Sequence, residues 1–406
     1  MAFMHRLGWT GALLLAGTVA ASAACPFKNE VPLKSLSAGF EAWKSVTSAM
    51  AECGNFKPEL DQEFDTKQPQ AFAAKPALYQ IGGVATETVV PLLNAGTIRP
   101  LDEYVAKYGQ HLTPNQLIKI DGKVMAIAMM VNAQHLMYRA DVLEKLGIAP
   151  PTTYAEVLAA AEKIKAAGLV QYPLGATMKT GWNLAEDFVN MYMGYGGTFF
   201  GVDNKPAVNN EAALKTLETM KALTAYMDPE YLTMDSSALQ KQFQQGKVAM
   251  ANFWASRAGA MDNAAESQVV GKVMMAAAPA VTPGGKPATT IWWDGAVVAK
   301  NTTDAEADAA FHLITQGMSK DMVQAHNDDA VWLIEGFKPG RLSEGAIKSL
   351  QGGAPAYPAS SAMGFMHSAL GKKLADYFNG KASAKQTLEG VEADYTTAAK
   401  EAGLIK

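Results

Sequence analysis

Tryptophan beside a polar side chain is the pairing in this chain best suited to chemistry. Trp182 precedes Asn183 in KTGWN, Trp254 stands three residues before Arg257 in ANFWASR, and IWWD sets Trp292 and Trp293 directly before Asp294. Each group falls at the end of an element rather than along a helix stripe, whereas Trp43 and Trp332 fit ordinary packing positions. An indole gives a flat apolar wall, and the neighbouring amide, guanidinium or carboxylate gives a directed hydrogen bond. Together they suit a neutral polyol, whose ring has apolar C–H faces and a rim of hydroxyls. Taken singly, each tryptophan reads as plain core; the case for a pocket rests on the three groups together.

Catalytic patterns are missing. There is no GxGxxG at a strand-to-helix turn, no GxxxxGK(S/T), no GxSxG and no HExxH. GYGGTFFG at 194–201 misses the dinucleotide spacing and reads as a loop. His111, His135, His312, His326 and His367 form no pair at a metal-ligand interval, and a surface or satisfied core position is the favoured reading of each. Carboxylates are scattered, with nothing to mark two of them as a glycosidase pair. The expectation is a binding protein with no catalytic residue, metal or cofactor.

The first residues limit where such a protein works. MAFMHRLGW, the apolar GALLLAGTVA and the small residues AASAA read as a cleaved signal peptide over 1–23, which places the mature chain in the periplasm. No later segment has the roughly 18 uninterrupted apolar residues of a membrane span. Two cysteines remain, Cys25 and Cys53, and an oxidising compartment favours joining them. The alternative makes Cys25 a lipidated first residue, but Ser22-Ala23-Ala24 lacks the bulky aliphatic residue that precedes such a cysteine by three. A formal net charge of −4 with no basic run gives no footprint for nucleic acid or an anionic membrane.

About 380 mature residues exceed one ordinary core and suit two. Short apolar runs alternate with long amphipathic segments, the pattern of α/β units. Thr153 with Glu156, Thr303 with Glu306 and Ser383 with Gln386 read as capping boxes, Asn210 as an N-cap, and Gly168 as a left-handed C-terminal cap. KVAMANFW, KVMMAAAPA and GAVVAK read as buried strands. With no single linker in view, the units are expected to be built from discontinuous pieces of chain.

Four stretches in order carry a resemblance. LNAGTIRPLDEYVAKYG, IDGKVMAIAMMVNAQHLMYRADVLEKLGIAPPTTYAEVLAAAEKIKAAG, FQQGKVAMANFWASRAG and GGKPATTIWWDGAVVAKNTTDAEADAAFHLI are similar to extracellular, family-1 sugar-binding proteins of ABC importers. PLGATMKTGWN and the Trp-then-Asp arrangement resemble the glucose/mannose-type branch. The resemblance implies a two-lobed type II periplasmic-binding-protein fold, maltose-binding-protein-like, with a ligand cleft between lobes joined by crossing strands. The N-terminal lobe would span 24–131 plus 294–335 and the C-terminal lobe 132–293 plus 336–406, with crossings near Val131–His135 and Thr290–Asp294. It implies a monomer that binds a mono- or small oligosaccharide and hands it to importer permease subunits. A polyol, polyamine or amino acid is the alternative solute, and an exported carbohydrate-active enzyme a less favoured class.

Residue by residue, SAGFEAW resembles the first ligand loop, with Phe40 as a wall and Glu41 as a hydroxyl acceptor. QIGG matches a loop that presents a polar group, here Gln80 or the backbone at Gly82. Asn132 falls at the first crossing, Trp182 and Asn183 in the opposite lobe, Trp254 and Arg257 after a strand, and Trp293 and Asp294 at the second crossing. The sequence departs from the branch at Leu36 and Ser37, where stacking aromatics often stand.

Overall fold

The architecture comes from a computed structural model that describes residues 25–406; the expected leader lies outside the described residues. The chain builds β1 (Leu33–Ser37), β2 (Phe56–Leu60), β3 (Ile81–Ala85), β4 (Leu117–Ile120) and β5 (Lys123–Asn132). It continues as β6 (Gln134–Arg139), β7 (Tyr172–Gly175), β8 (Val248–Trp254) and β9 (Val273–Ala276), and returns as β10 (Trp292–Val298) and β11 (Val331–Trp332). A seven-stranded sheet has the order β11-β5-β10-β3-β1-β2, with β4 also on β5, and a four-stranded sheet has the order β7-β8-β6-β9. Strand β1 runs parallel to β2 and β3, while β10 runs antiparallel to β3 and β5.

Helices form where the local signals put them. Thr153 caps Tyr154–Ala167 with Glu156 reaching back, and Gly168 closes that helix at φ 61°, a left-handed conformation that costs glycine little. Thr303 and Glu306 start Asp304–Gly317, Ser383 and Gln386 start Ala384–Glu401, and Asn210 caps Glu211–Thr224. The segment 194–201 contains the end of the Trp182–Gly194 helix and a turn beyond it.

Each sheet has its own core. Trp43, Phe311 and Ile314 cover one face of the larger sheet, and Phe72, Leu92 and Ile98 the other. Phe188, Tyr192, Phe253, Leu370 and Tyr395 gather around the smaller sheet. The two-residue period of β10 is visible in this division: Ala296 and Val298 belong to the first of these clusters and Val297 to the second. The chain passes between sheets at Ala133, again between β9 and β10, and a third time after β11, where the Glu344–Gln351 helix packs on β6 and β9.

Gly295 explains part of the IWWDG motif. A Cβ there would lie 2.3 Å from the Ile127 carbonyl oxygen, so only glycine lets β10 approach β5. The β5–β10 register shifts at this point, pairing Asp294 with Met130 and Gly295 with Ala128, so that Met129 is the extra residue of a bulge. Cys25 and Cys53 form a disulfide that closes a 28-residue separation and ties the first described residues to the end of the Glu41–Ala51 helix.

Candidate functional site

The seam between the two sheets is laced by polar side chains at both crossings. Asn132 ends β5, and its Oδ1 accepts from the backbone N–H groups of Ala133 (3.1 Å) and Ser256 (3.2 Å) while its Nδ2 donates to Ser256 Oγ at 3.3 Å. The first crossing is thereby tied to the turn that follows β8. At the second, the Thr290 N–H donates to Asn190 Oδ1 at 2.7 Å. Trp292 Nε1 donates toward Thr290 Oγ1 (2.9 Å) and Glu186 Oε1 (3.2 Å). Asn190 and Glu186 both come from the Trp182–Gly194 helix, so that helix reads the strand that leaves for the larger sheet.

Five aromatic rings meet at this seam. Trp182 stacks near Trp254 with centroids 6.3 Å apart, meets Trp292 edge-on at 5.7 Å, and lies over the His367 ring at 5.1 Å. Trp292 packs on Tyr357 at 4.2 Å. His367 Nε2 is 3.0 Å from the Trp182 carbonyl and must donate there, so in the neutral ring Nδ1 accepts from Tyr357 Oη at 2.9 Å. Helix approach sets this up: at Gly371, a Cβ would lie 2.9 Å from the Gly181 backbone. Trp182 is 37% exposed, against 7% for Trp254 and 4% for Trp292, so one indole reaches solvent while the other two are buried. Its Nε1 donates to Glu87 Oε2 at 2.7 Å, a bond from one sheet's helices to the loop after β3 of the other.

Carboxylates complete the constellation. Asp294 pairs with Ala85 across β10 and β3, and Ala85 packs against the smaller sheet's core, so the face carrying Asp294 looks into the seam. Burial pushes its carboxyl up to about 7, with a hydrogen bond from Asn132 acting the other way. Burial likewise drives Glu186 well above the usual carboxylate range, helped by the negative Glu87, and Glu186 Oε2 has no partner. Asp187, bonded by Gln134 and Thr177, is pushed up to about 7 by burial. Acids held near neutrality both donate and accept hydrogen bonds, which matches hydroxyl groups. No cluster of His, Cys, Asp and Glu able to hold a metal occurs among the described residues.

A sequence profile of bacterial extracellular solute-binding proteins matches residues 57–315. The chain belongs to this family. A protein of Deinococcus radiodurans named a probable ABC transporter-binding protein is 28% identical over 302 residues, 71% of this chain and 70% of that one. An ABC transporter solute-binding protein from Agrobacterium radiobacter K84 in complex with ribitol superposes with a TM-score of 0.80 at 22% identity, covering 92% of this chain and 100% of that one. One from Agrobacterium vitis S4 with bound D-mannitol gives 0.77 at 19% identity, covering 91% and 99%. Maltose-bound T. maritima MalE3 gives 0.78 at 18% identity, covering 90% and 99%. Identities this low carry the fold alone, and that fold is the expected two-lobed α/β arrangement, the lobes being the two sheets with their helices. Such a protein captures a solute and does not turn it over.

In this solute-binding protein the residues singled out from sequence fall into three groups. Asn132, Trp182, Trp254 and Asp294 meet at the seam, with Asn183 beside Trp182 in the first turn of its helix. Phe40, Glu41 and Arg257 meet at a second place, around a cavity of about 520 Å³ between the start of the Glu41–Ala51 helix and the turn after β8. Gln80, Gly82 and Trp293 lie elsewhere. Gln80 Oε1 accepts from the Lys34 N–H, and its carbonyl pairs with Ala299, at the far end of the ladder from Asp294. A Cβ on Gly82 would sit 2.6 Å from Phe72, which makes it a packing glycine beneath the Phe64–Ala73 helix. Trp293 points to the opposite face of β10 from Trp292 and packs with the Phe72 cluster. Of the two adjacent tryptophans the period of a strand admits one to the seam, and it is Trp292.

Glu87, Glu186 and Tyr357 carry no motif, and sequence reasoning misses them. Glu87 has a signal, since it follows β3 at the carboxyl end of a parallel strand, where α/β sheets gather ligand loops. Glu186 and Tyr357 join only when the Trp182–Gly194 helix and the segment before Ser361 are brought to β10.

Proposed function

We propose that the protein binds a sugar or sugar alcohol at the seam and delivers it to an ABC importer from the periplasm. Lobes made of 24–131 plus 294–335 and of 132–293 plus 336–406 would close as rigid bodies about the crossings, the hinge motion by which two-lobed periplasmic binding proteins enclose a solute. The observation that supports this most directly is the exposed Trp182 indole set among Trp254, Trp292 and the acids Asp294 and Glu186, which burial holds toward their protonated forms. Trp182 and Trp254 would stack on the apolar faces of the solute, and Asp294, Asn132 and Glu87 would bond its hydroxyls. Neighbours of the same fold hold ribitol, D-mannitol and maltose, which agrees with a polyhydroxylated solute. A polyamine fits less well, because it asks for fully ionised acids where burial holds these toward their neutral form.

Purified protein screened by thermal shift against sugars, sugar alcohols, amino acids and polyamines tests the reading. A ligand at 100 times its Kd adds about 2.7 kcal/mol to a native state that alone binds it. A polyhydroxylated solute is expected to raise Tm without being consumed, and Trp254→Ala to remove that rise. A rise with polyamines alone, or chromatographic evidence of a product, overturns it.

A further inference from the structure

The cavity beside Phe40 has a chemistry of its own. Arg257 enters it from the turn after β8, gives one hydrogen bond to Gln240 Oε1 at 3.1 Å, and holds its guanidinium carbon 6.0 Å from the centroid of the Phe40 ring. A guanidinium has five N–H donors, and Gln240 takes one. The two carboxylates that act on it are committed elsewhere. Glu41 accepts from Lys44 Nζ at 2.6 Å. Asp235 caps Ser237 and Ala238 with one oxygen and meets Lys179 with the other at 3.3 Å. Burial draws the guanidinium's pKa below its ordinary value, the sign of a charge poorly compensated where it stands.

The surrounding charges agree. With Glu41 and Lys44 paired to each other, the lining leaves Arg257 and Lys241 against Glu266, an excess of positive charge. The cavity also adjoins the seam. Arg257 follows Ser256, which binds Asn132, and comes three residues after Trp254, so the two Cα atoms are at most about 11 Å apart.

We propose that this cavity is an anion subsite of the same cleft, and that the solute is an acidic sugar, a polyhydroxylated carboxylate whose hydroxylated part lies at the tryptophans and whose carboxylate meets Arg257. The planar guanidinium matches a carboxylate in a two-bond fork, which a lysine does not reproduce. Phe40 lies to one side of the guanidinium, its ring centroid 6.0 Å away. This proposal rests on reading the seam as a site for a polyhydroxylated solute.

Matched pairs test it: D-gluconate against D-glucitol and D-glucuronate against D-glucose, titrated calorimetrically into the native protein, Arg257→Gln and Arg257→Lys. The acid of at least one pair is expected to bind at least tenfold tighter than its neutral partner, a difference of about 1.4 kcal/mol. Arg257→Gln should remove that preference while leaving the neutral partner's affinity within about twofold, and Arg257→Lys should keep part of it. Higher salt should reduce the acid's advantage. A neutral member binding as tightly as its acid removes the subsite and leaves the proposed function standing. Equal weakening of both members by Arg257→Gln makes the arginine a brace between lobes and overturns the subsite. Binding by neither member of either pair, with none in the wider screen, overturns both.

Discussion

Asp294 is a carboxyl that burial holds toward its protonated form. Its folded pKa near 7 exceeds its unfolded value of 3.8, so the fold favours the protonated form. The group therefore costs no stability below about pH 3.8, and its cost grows as pH rises to about 7 and then stays level. Asp294→Asn is expected to raise the Tm of the ligand-free protein at pH 7.5 and to leave it unchanged near pH 3.5. If solute hydroxyls donate to the carboxylate, binding releases a proton, and affinity should climb with pH up to about 7 and flatten above it. Calorimetry in buffers of different ionisation heat reads that proton directly; affinity that falls with rising pH would mean that the neutral acid donates instead. Asp294→Asn should weaken binding at least about tenfold, since bonds to charged groups contribute about 1.5–3 kcal/mol each. His135 poses the opposite case. It is fully buried, neither ring nitrogen has a partner, and burial pushes it down to about 3. Its folded pKa lies below its unfolded 6.5, so the stability it permits is present above pH 6.5 and is lost as pH falls toward 3. Between pH 6.5 and 4 the loss should reach about 3 kcal/mol, and His135→Leu should flatten that part of the denaturation profile.

Elements here are specified by their ends more than by their middles. The Tyr154–Ala167 helix begins at a reciprocal Thr153–Glu156 box and stops at a left-handed glycine, both readable without the fold. Because that helix reaches the seam through no side chain named in the site, Thr153→Ala should lower stability by about 1 kcal/mol and leave solute affinity unchanged. Gly295 sits at the opposite extreme. Its neighbour is backbone, which cannot rotate away, so Gly295→Ala should force β10 from β5 and lower both Tm and affinity, checked by melting curves with and without solute. The disulfide closes its loop at a site remote from the seam, and a loop of this length is worth about 3.5 kcal/mol in the chain-entropy picture.

At the scale of the whole molecule, three chain crossings among the described residues join two cores that each fold around their own sheet. Two bodies so joined can rotate about the crossings, and away from the crossings hydrogen bonds also span them, from Trp182 to Glu87 and from Asn94 to Ser361. Saturating solute is therefore expected to reduce the radius of gyration measured by small-angle scattering, while Glu87→Ala, which removes one spanning bond, should shift the ligand-free protein toward the open form. An unchanged radius with bound solute counts against closure. In a reconstituted importer, ATPase stimulation should need the solute, and equal stimulation without it would sink the delivery role.

Much of this protein is set by its sequence. Capping boxes and the short buried strands follow from local rules, because caps and period-2 alternation act within a few residues, whereas the crossings near Val131–His135 and Thr290–Asp294 are implied by the resemblance to extracellular sugar-binding proteins. Trp182, Trp254 and Asp294 are visible as well, since each stands at an element end, and Asn132 through the resemblance alone. What sequence could not rank was which side of a strand a residue takes. Trp292 and Trp293 differ by one position and lie on opposite faces of β10, and only the sheet's neighbours say which face is the seam. Gln80 and Gly82 draw attention by type, yet register places one at the far end of the ladder and the other under Phe72. Glu87, Glu186 and Tyr357 reach the tryptophans from segments distant in sequence, and their proximity is a property of packing. A lone carboxylate has the same local signature on a solvated helix as in a buried cleft; burial and partners, which exist only after folding, make the difference.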